Sequence, residues 1–181
     1  SKNKGDTVST LSSSNALKDL TASYGQKYYS TPVGEMNVVK KMKEVSSIVG
    51  GEGGGGIIYP ELHYGRDALV GIALFLALLV EKKCKVSELK SQYSEYFMKK
   101  IKITLEDSNL IDRSFKVIAE NYSELSPNTE DGVRIDFEDA WVHMRKSNTE
   151  PIIRIFAEAN SQDIANRYAL KIEKEIKSIG A

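Results

Sequence analysis

Residues 145–151, with the sequence Arg-Lys-Ser-Asn-Thr-Glu-Pro, bring together side chains that can bind an anion. Arg145 opens the segment and Arg154 follows it by three residues. A guanidinium group is a planar fork of donors that fits two phosphate oxygens at once. We interpret the segment as a phosphate-binding loop, with an ordinary turn as the alternative, because Ser, Asn, Thr and Pro are also common turn residues. The neutral hydrogen-bonding residues between the two arginines are Ser147, Asn148 and Thr149.

A glycine-rich run at residues 50–56, interrupted once by Glu52, is the second feature with chemical potential. Strand-like residues on both sides, 47–49 and 57–60, indicate a loop inside one core and not a linker. Glycine lets the backbone approach a ligand closely, and a carboxylate can accept hydrogen bonds from two neighbouring hydroxyls. The run therefore suits a polyhydroxy ligand. The absence of Lys-Ser or Lys-Thr after it argues against a nucleotide loop.

The two features, taken with segments between them, resemble the α-D-phosphohexomutases, the phosphomannomutase/phosphoglucomutase family. The resemblance runs from about Thr7 to Gly180 and implies that this chain holds most of the third domain and the whole fourth domain of a four-domain enzyme. In family order, the sequence presents Glu52-Gly53-Gly54-Gly55-Gly56, His63-Tyr64-Gly65-Arg66-Asp67, Asp131-Gly132, Trp141 and the segment 145–151.

The family's reaction interconverts hexose 1-phosphate and hexose 6-phosphate through a bisphosphorylated sugar. It uses a phosphoserine in the first domain and a Mg²⁺ ion held by an aspartate-rich loop in the second. Neither an Asp-x-Asp-x-Asp-Arg loop nor a Thr-Ala-Ser-His segment occurs in this sequence. Phosphoryl transfer depends on positioning and charge neutralisation. We therefore expect this chain to supply positioning, to bind substrate weakly and to be inactive without the missing N-terminal domains.

The resemblance also implies roles for single residues. Glu52 corresponds to a glutamate that binds two ring hydroxyls, and Gly54 to a position where relatives have Ser or Asn, so one sugar contact is lost or made by backbone. Glu35 corresponds to a hinge-side position with His or Asp in relatives; it either transfers a proton or caps the following helix, and we favour the cap. The implied phosphate-binding residues are Arg145, Ser147, Asn148, Thr149 and Arg154.

The departure at Gly54 leaves the choice of sugar open. The resemblance favours a mutase acting on mannose or glucose phosphates. The alternatives are a phosphoglucosamine mutase and a non-catalytic module that binds sugar phosphates.

Composition limits the function classes further. Lys and Arg total 25, Asp and Glu total 25, and this balance argues against a nucleic-acid partner. The single cysteine, Cys84, indicates a reducing compartment, and we expect a cytoplasmic enzyme without a signal peptide or a membrane partner. His63 and His143 lack metal-ligand spacing, so we expect no metal site, and His143 is interpreted as a packing residue.

The first part of the chain has the βαβαβ order of an α/β domain with a mixed, mostly parallel sheet. Residues 68–80 are apolar on every face, which predicts a buried core helix with Asp67 as its N-cap. Ser14 is interpreted as a helix cap, with anion binding by residues 12–14 as the alternative. The other predicted elements are strands at 7–12, 27–33 and from Ile48, and helices at 15–24, 37–45 and 87–97.

The second part predicts a small α+β domain, a sheet backed by helices. We place the domains at residues 1–98 and 99–181, with the charged segment Met98-Lys99-Lys100 as the connection. Alternation of Val133, Ile135 and Phe137 with charged residues predicts a sheet with one wet face. The predicted elements are strands at 99–105, 132–138, 140–146 and 152–159, and helices at 109–120 and 161–178.

Overall fold

The computed structural model describes residues 4–104, 108–147, 150 and 152–179. The chain divides into two units, Ser1–Glu95 and Tyr96–Ala181, each with its own sheet. The predicted fold class is confirmed: a βαβαβ mixed-sheet unit is followed by a four-stranded sheet backed by helices. The division falls at Glu95, and residues 98–100, expected to connect the domains, lie inside a strand.

The first unit is a five-stranded sheet in the order β2-β1-β3-β4-β5. Strand β1 pairs in parallel with β2 and β3, whereas β3–β4 and β4–β5 are antiparallel. The sheet is thus less parallel than predicted, because short turns join its last three strands and such turns can only join antiparallel neighbours. Its elements are β1 (Thr7–Thr10), α1 (Asn15–Ser23), β2 (Tyr28–Thr31), α2 (Glu35–Val45), β3 (Val49–Glu52), β4 (Gly56–Tyr59), β5 (His63–Arg66), α3 (Ala68–Lys82) and α4 (Val86–Lys90).

The two helix N-caps predicted in this unit are confirmed. The Ser14 hydroxyl accepts a hydrogen bond from the Ala16 amide, and the Asp67 carboxylate accepts one from the Val70 amide, so both residues are helix N-caps. The helix expected at residues 87–97 is wrong: α4 ends at Lys90 and Phe97 begins the next strand.

The expectation that α3 is a buried core helix is also wrong. None of its residues is buried, and Leu69 and Val80 are 76% and 77% exposed. The helix touches β4 near Gly71, where an added Cβ would lie 3.1 Å from Ile57 Cγ1. Hydropathy measures how apolar a helix is, but its burial depends on which other parts of the chain pack against it.

The second unit is an antiparallel sheet in the order β6-β9-β8-β7, covered on one face by α5 and α6. Its core includes the alternating residues Val133 and Ile135 of β7, and Ile172 and Ile176 of the last helix, all at most 1% exposed. These elements are β6 (Phe97–Thr104), α5 (Ser108–Asn121), a 3-10 turn (Ser123–Leu125), β7 (Val133–Asp136), β8 (Ala140–Lys146), β9 (Ile152–Ala159) and α6 (Gln162–Ile179).

The other face of this sheet is polar but much of it is buried, so the prediction of a wet face is wrong in part. Trp141 Nε1 donates to Glu158 Oε1 at 2.9 Å, and the Arg134 guanidinium lies 4.3 Å from the Trp141 ring centroid. His143 has no exposed surface, and its Nε2 is 2.6 Å from the Asp131 carbonyl oxygen. The interpretation of His143 as a packing residue is confirmed. Burial lowers its pKa below the ordinary value.

Candidate functional site

The glycine-rich run forms the hairpin between β3 and β4. Gly50 and Gly51 lie in β3, and the register pairs Glu52 with Gly56 across the turn. Gly55 has φ +90°, a conformation that favours glycine, and its amide donates to the Glu52 carbonyl at 3.0 Å. An added Cβ at Gly54 would meet nothing within 4 Å, so the exposed tip of the hairpin offers backbone groups only. The run joins two strands of one core, as the sequence indicated.

The Glu52 carboxylate lies at the base of this hairpin with its side chain 15% exposed. Its Oε1 accepts a hydrogen bond from the Gly34 amide at 3.1 Å, and its Oε2 accepts one from Arg66 Nη1 at 2.7 Å. A carboxylate has about four acceptor positions. In the part of the chain that the structure describes, each Glu52 oxygen accepts one such hydrogen bond, which leaves one acceptor position on each oxygen without a protein donor.

Glu35 is the first residue of α2, and its expected role as a helix cap is wrong. The N-cap is Gly34, which makes no side-chain cap hydrogen bond. The Glu35 carboxylate instead accepts from Arg66 Nε at 2.7 Å, through its Oε2. The side-chain hydrogen bond from Arg66 is the main cause that lowers the pKa of Glu35. A long-range ion pair has replaced the local contact that the sequence suggested.

A row of cations crosses three strands of the second unit. The β8–β9 register places Arg145 directly opposite Arg154, and the β6–β9 register places Lys102 opposite Arg154 on its other side. Directly opposite residues of antiparallel strands point to the same face. We call Lys102, Arg154 and Arg145 the cation row. It lies on the face opposite the helices, because the neighbouring Ile153 and Ile155 belong to the helix-covered core.

The two arginines of the cation row are held loosely. Arg145 Nε is 3.6 Å from Asp131 Oδ2, and Arg154 Nη2 is 3.4 Å from Ser147 Oγ and 3.5 Å from Glu150 Oε2. Both Nε atoms are buried and have no hydrogen-bond partner among the residues that the structure describes. The guanidinium groups thus retain donor capacity next to the predicted loop.

The loop itself is anchored at its ends. The Ser147 amide donates to the Ile152 carbonyl at 3.0 Å, which closes the connection between β8 and β9. Asn148 and Thr149, two of the predicted phosphate-binding residues, lie outside the described residues, as does Pro151. Of the predicted set, the structure therefore places Arg145, Ser147 and Arg154 together at the end of two neighbouring strands.

Two residues near these sites were not assigned a role from sequence. Lys102 belongs to a lysine-rich strand, and only the β6–β9 register shows that it faces Arg154. Asp131 was noted as part of an Asp-Gly pair. Gly132 has φ +77° and an added Cβ there would overlap the Met144 carbonyl, so a glycine is required for Asp131 to approach Arg145.

Neither a metal cluster nor a membrane-spanning helix is found in the described part of the chain. Within residues 4–104, 108–147, 150 and 152–179, no group of three His, Cys, Asp or Glu side chains is arranged to hold a metal ion. In the same ranges, no helix has the length and apolar character needed to cross a bilayer.

Known protein families match both units. The model for the phosphoglucomutase/phosphomannomutase alpha/beta/alpha domain III matches residues 1–96, and the model for the phosphoglucomutase/phosphomannomutase C-terminal domain matches residues 81–175. A solved structure of a phosphoglucomutase/phosphomannomutase family protein from Burkholderia thailandensis shares the fold, with a TM-score of 0.81 at 22% identity over 99% of this chain and 39% of that one.

Two curated relatives cover nearly the whole of this chain. A phosphoglucosamine/phosphogalactosamine mutase of Sulfurisphaera tokodaii is 34% identical over 172 residues, which are 94% of this chain and 38% of the relative. A phosphoglucomutase/phosphomannomutase of Thermococcus kodakarensis is 36% identical over 167 residues, 89% of this chain and 35% of the relative. The chain thus spans less than two fifths of the length of either relative.

Proposed function

Because the chain belongs to the phosphoglucomutase/phosphomannomutase family, we propose that it acts as the C-terminal part of an enzyme that interconverts hexose 1-phosphate and hexose 6-phosphate. The sugars are mannose and glucose phosphates, and the reaction passes through a bisphosphorylated sugar. In this proposal the second unit binds the phosphate that does not react, and the first unit binds hydroxyls of the sugar ring.

The observation that carries the proposal is the facing pair of Arg145 and Arg154. Like charges directly opposite on neighbouring strands destabilise a sheet, yet the two guanidinium groups share one face and leave buried Nε donors without partners among the described residues. A phosphate dianion bound beside them neutralises both charges and accepts their hydrogen bonds. The Ser147 hydroxyl is within 3.4 Å of Arg154 Nη2 and can contribute to the same site.

Asn148 and Thr149 complete this phosphate site in the proposal. They follow Ser147 directly in sequence and carry the side-chain donors expected of an anion-binding loop. Lys102 adds a third positive charge in the same row, at the exposed edge of the sheet.

Glu52 is the proposed ligand of the sugar. Its carboxylate is fixed by Gly34 and Arg66 and keeps one acceptor position on each oxygen, which fits two neighbouring hydroxyl donors. Gly54, at the tip of the same hairpin, contributes backbone groups. The lowered pKa of Glu35 makes it a weak proton acceptor at neutral pH. We therefore assign Glu35 to binding Arg66 and not to proton transfer.

The transferring chemistry belongs to other parts of the full protein in this proposal. A phosphoserine would supply the phosphoryl group and a Mg²⁺ ion would neutralise its charge, and both would be held by residues outside this chain. The chain alone accordingly binds hexose phosphates and does not convert them.

A phosphoglucosamine mutase is the second candidate. It is favoured by the identity with the Sulfurisphaera tokodaii relative, whose name includes glucosamine and galactosamine phosphates. The two candidates differ in one ligand group, a hydroxyl or an ammonium at the second carbon of the sugar. An ammonium near the carboxylate of Glu52 would add a charge-assisted hydrogen bond of roughly 1.5–3 kcal/mol.

A titration of the chain with glucose 6-phosphate, mannose 6-phosphate and glucosamine 6-phosphate tests the proposal, with amide NMR shifts as the readout. Inorganic phosphate, which lacks the sugar, and free glucose, which lacks the phosphate, serve as controls. The proposal expects shifts around Ser147 with every phosphate and shifts around residues 52–56 only with the sugars. Preference for glucosamine 6-phosphate would favour the second candidate, and no shifts at either place at millimolar ligand would refute both.

A further inference from the structure

Arg66 links the two acidic residues near the glycine hairpin. Its Nε donates to Glu35 Oε2 and its Nη1 donates to Glu52 Oε2, each at 2.7 Å. The Arg66 amide adds a longer contact of 3.4 Å to Glu35 Oε1. Arg66 is the last residue of β5 and lies 31 residues from Glu35 and 14 from Glu52 in sequence. One guanidinium therefore ties the start of α2 to the end of β3.

The backbone of β4 leaves room for this contact. The aliphatic stem of Arg66 lies over Gly56, the residue that pairs with Glu52 in the sheet. An added Cβ at Gly56 would lie 2.6 Å from Arg66 Cδ and 3.0 Å from its Cγ. A side chain at position 56 would force the stem of Arg66 to move, so the glycine at this position has a structural reason beyond the turn.

We propose that Arg66 is a positioning residue that holds the Glu52 carboxylate in the orientation in which it accepts hydroxyls of the sugar. Glu35 accepts a hydrogen bond from Nε of the same guanidinium and so holds Arg66 in place beside Glu52. This inference rests on the proposed function, because it concerns the carboxylate assigned there to the sugar.

The contacts favour positioning over a contribution to stability. Half of the Arg66 side chain is exposed, as is a third of the Glu35 side chain, and ion pairs this exposed contribute little to folding. The Glu52 side chain is 15% exposed, and both its oxygens have a fixed partner. These two contacts fix the orientation of the carboxylate before the ligand arrives, which removes an ordering cost from binding.

Substitutions at Arg66 and at Gly56 test this inference. Arg66→Met removes the fork, Arg66→Lys keeps the charge but not two directed donors, and Gly56→Ala keeps every charge but displaces the Arg66 stem. The control is Lys41→Met, which removes a cation and the surface ion pair with Glu44 in the same unit. Affinity for glucose 6-phosphate and for inorganic phosphate is measured for each variant by NMR titration.

We expect Arg66→Met and Gly56→Ala to weaken binding of glucose 6-phosphate about three- to tenfold, the effect of releasing one ordered side chain. The affinity for inorganic phosphate should be unchanged in every variant. The control Lys41→Met should bind glucose 6-phosphate like the unaltered chain. Arg66→Lys should restore only part of the loss. In a Glu52→Gln background, Arg66→Met should cost little more, because the two residues act as a unit. Full rescue by lysine, or losses that add in the double variant, would overturn the inference.

A ligand-free readout separates this inference from the proposed function. The Gly34 amide donates to Glu52 Oε1, so hydrogen exchange at Gly34 reports how firmly the carboxylate is held. We expect faster exchange in Arg66→Met than in Lys41→Met. If the unaltered chain binds no hexose phosphate, the proposed function fails, and Gly34 exchange still decides whether Arg66 positions Glu52. Unchanged exchange at Gly34 would contradict the positioning role whatever the ligand result.

Discussion

Replacing Arg145 with methionine should separate phosphate binding from stability. Methionine keeps most of the length and apolar character of the arginine stem, so the change removes chiefly the guanidinium group. If Arg145 serves a bound phosphate, the variant loses affinity and keeps its fold. If Arg145 serves the sheet, the variant loses stability instead.

The structure sets the size of both effects. A hydrogen bond to a charged group contributes roughly 1.5–3 kcal/mol, so losing the contacts of Arg145 should weaken phosphate binding about ten- to a hundredfold. For stability, the variant loses an ion pair with Asp131 at 3.6 Å, worth about 0–1 kcal/mol. It also relieves the repulsion from Arg154, about 0.2–1 kcal/mol. The free energy of unfolding should therefore change by less than about 1 kcal/mol.

Arg134→Met is the matched control on the same face of the sheet. Arg134 Nη2 donates to Asp136 Oδ1 at 2.8 Å, its guanidinium lies over the Trp141 ring, and its side chain is 7% exposed. Because these contacts are made within the sheet, the variant should lose about 1–3 kcal/mol of stability. Its affinity for phosphate should stay the same.

Urea unfolding gives the stability of both variants, and NMR titration with glucose 6-phosphate at fixed ionic strength gives their affinity. We expect opposite effects: Arg145→Met should weaken phosphate binding without loss of stability, and Arg134→Met should lower stability without loss of phosphate binding. If Arg145→Met binds phosphate like the unaltered chain, or unfolds as readily as Arg134→Met, then Arg145 serves the sheet and not a bound phosphate.

Three further predictions concern the two units. Burial lowers the pKa of His143, so below the ordinary pKa of about 6.5 the unfolded state binds a proton that the native state does not. The free energy of unfolding should therefore fall with decreasing pH by up to about 1.4 kcal/mol per unit until the native pKa is reached. Urea unfolding between pH 7 and 5 should show this slope, and His143→Gln should remove it. Leu69→Gln on the exposed helix α3 should change stability by less than about 0.5 kcal/mol, whereas Ile155→Ala in the core should cost about 2–5 kcal/mol; equal losses would contradict the exposure of α3. Gly132→Ala should lower the free energy of unfolding by more than about 1–2 kcal/mol, because an alanine there has a strained positive φ and its Cβ overlaps the Met144 carbonyl. Gly25→Ala should cost less, because position 25 also has a positive φ but has open space for a Cβ. Thermal unfolding of the two variants checks this order.

Local sequence patterns predicted most of the secondary structure. Strands β8 and β9 lie at the predicted positions 140–146 and 152–159, because β-branched and aromatic residues dominate both. Ser14 and Asp67 cap their helices as expected, since a cap depends on residues two or three positions away. Signals of this range are contained in the sequence itself.

Features that depend on distant partners were missed or misjudged. Strand β5, with the sequence His-Tyr-Gly-Arg, has no alternating apolar pattern and exists because β4 pairs with it. Glu35 was expected to cap a helix, but Arg66, 31 residues further along the chain, binds its carboxylate. Helix α3 is apolar enough for a core, yet the described residues cover little of it.

The candidate phosphate site shows the same division. Arg145, Ser147 and Arg154 were identified from residue type and spacing along one hairpin. Lys102 was not, because its place in the cation row follows from the register of β6 on β9. A register is set by packing across the whole sheet and cannot be inferred from one strand.

A crystal structure of the chain with bound glucose 6-phosphate would show directly whether the cation row binds the phosphate. We expect the phosphate on the cation row, with its oxygens within about 3.2 Å of donors from both Arg145 and Arg154. A phosphate that lies elsewhere on the chain and makes no contact with at least one of these two arginines would rule out the proposed phosphate site.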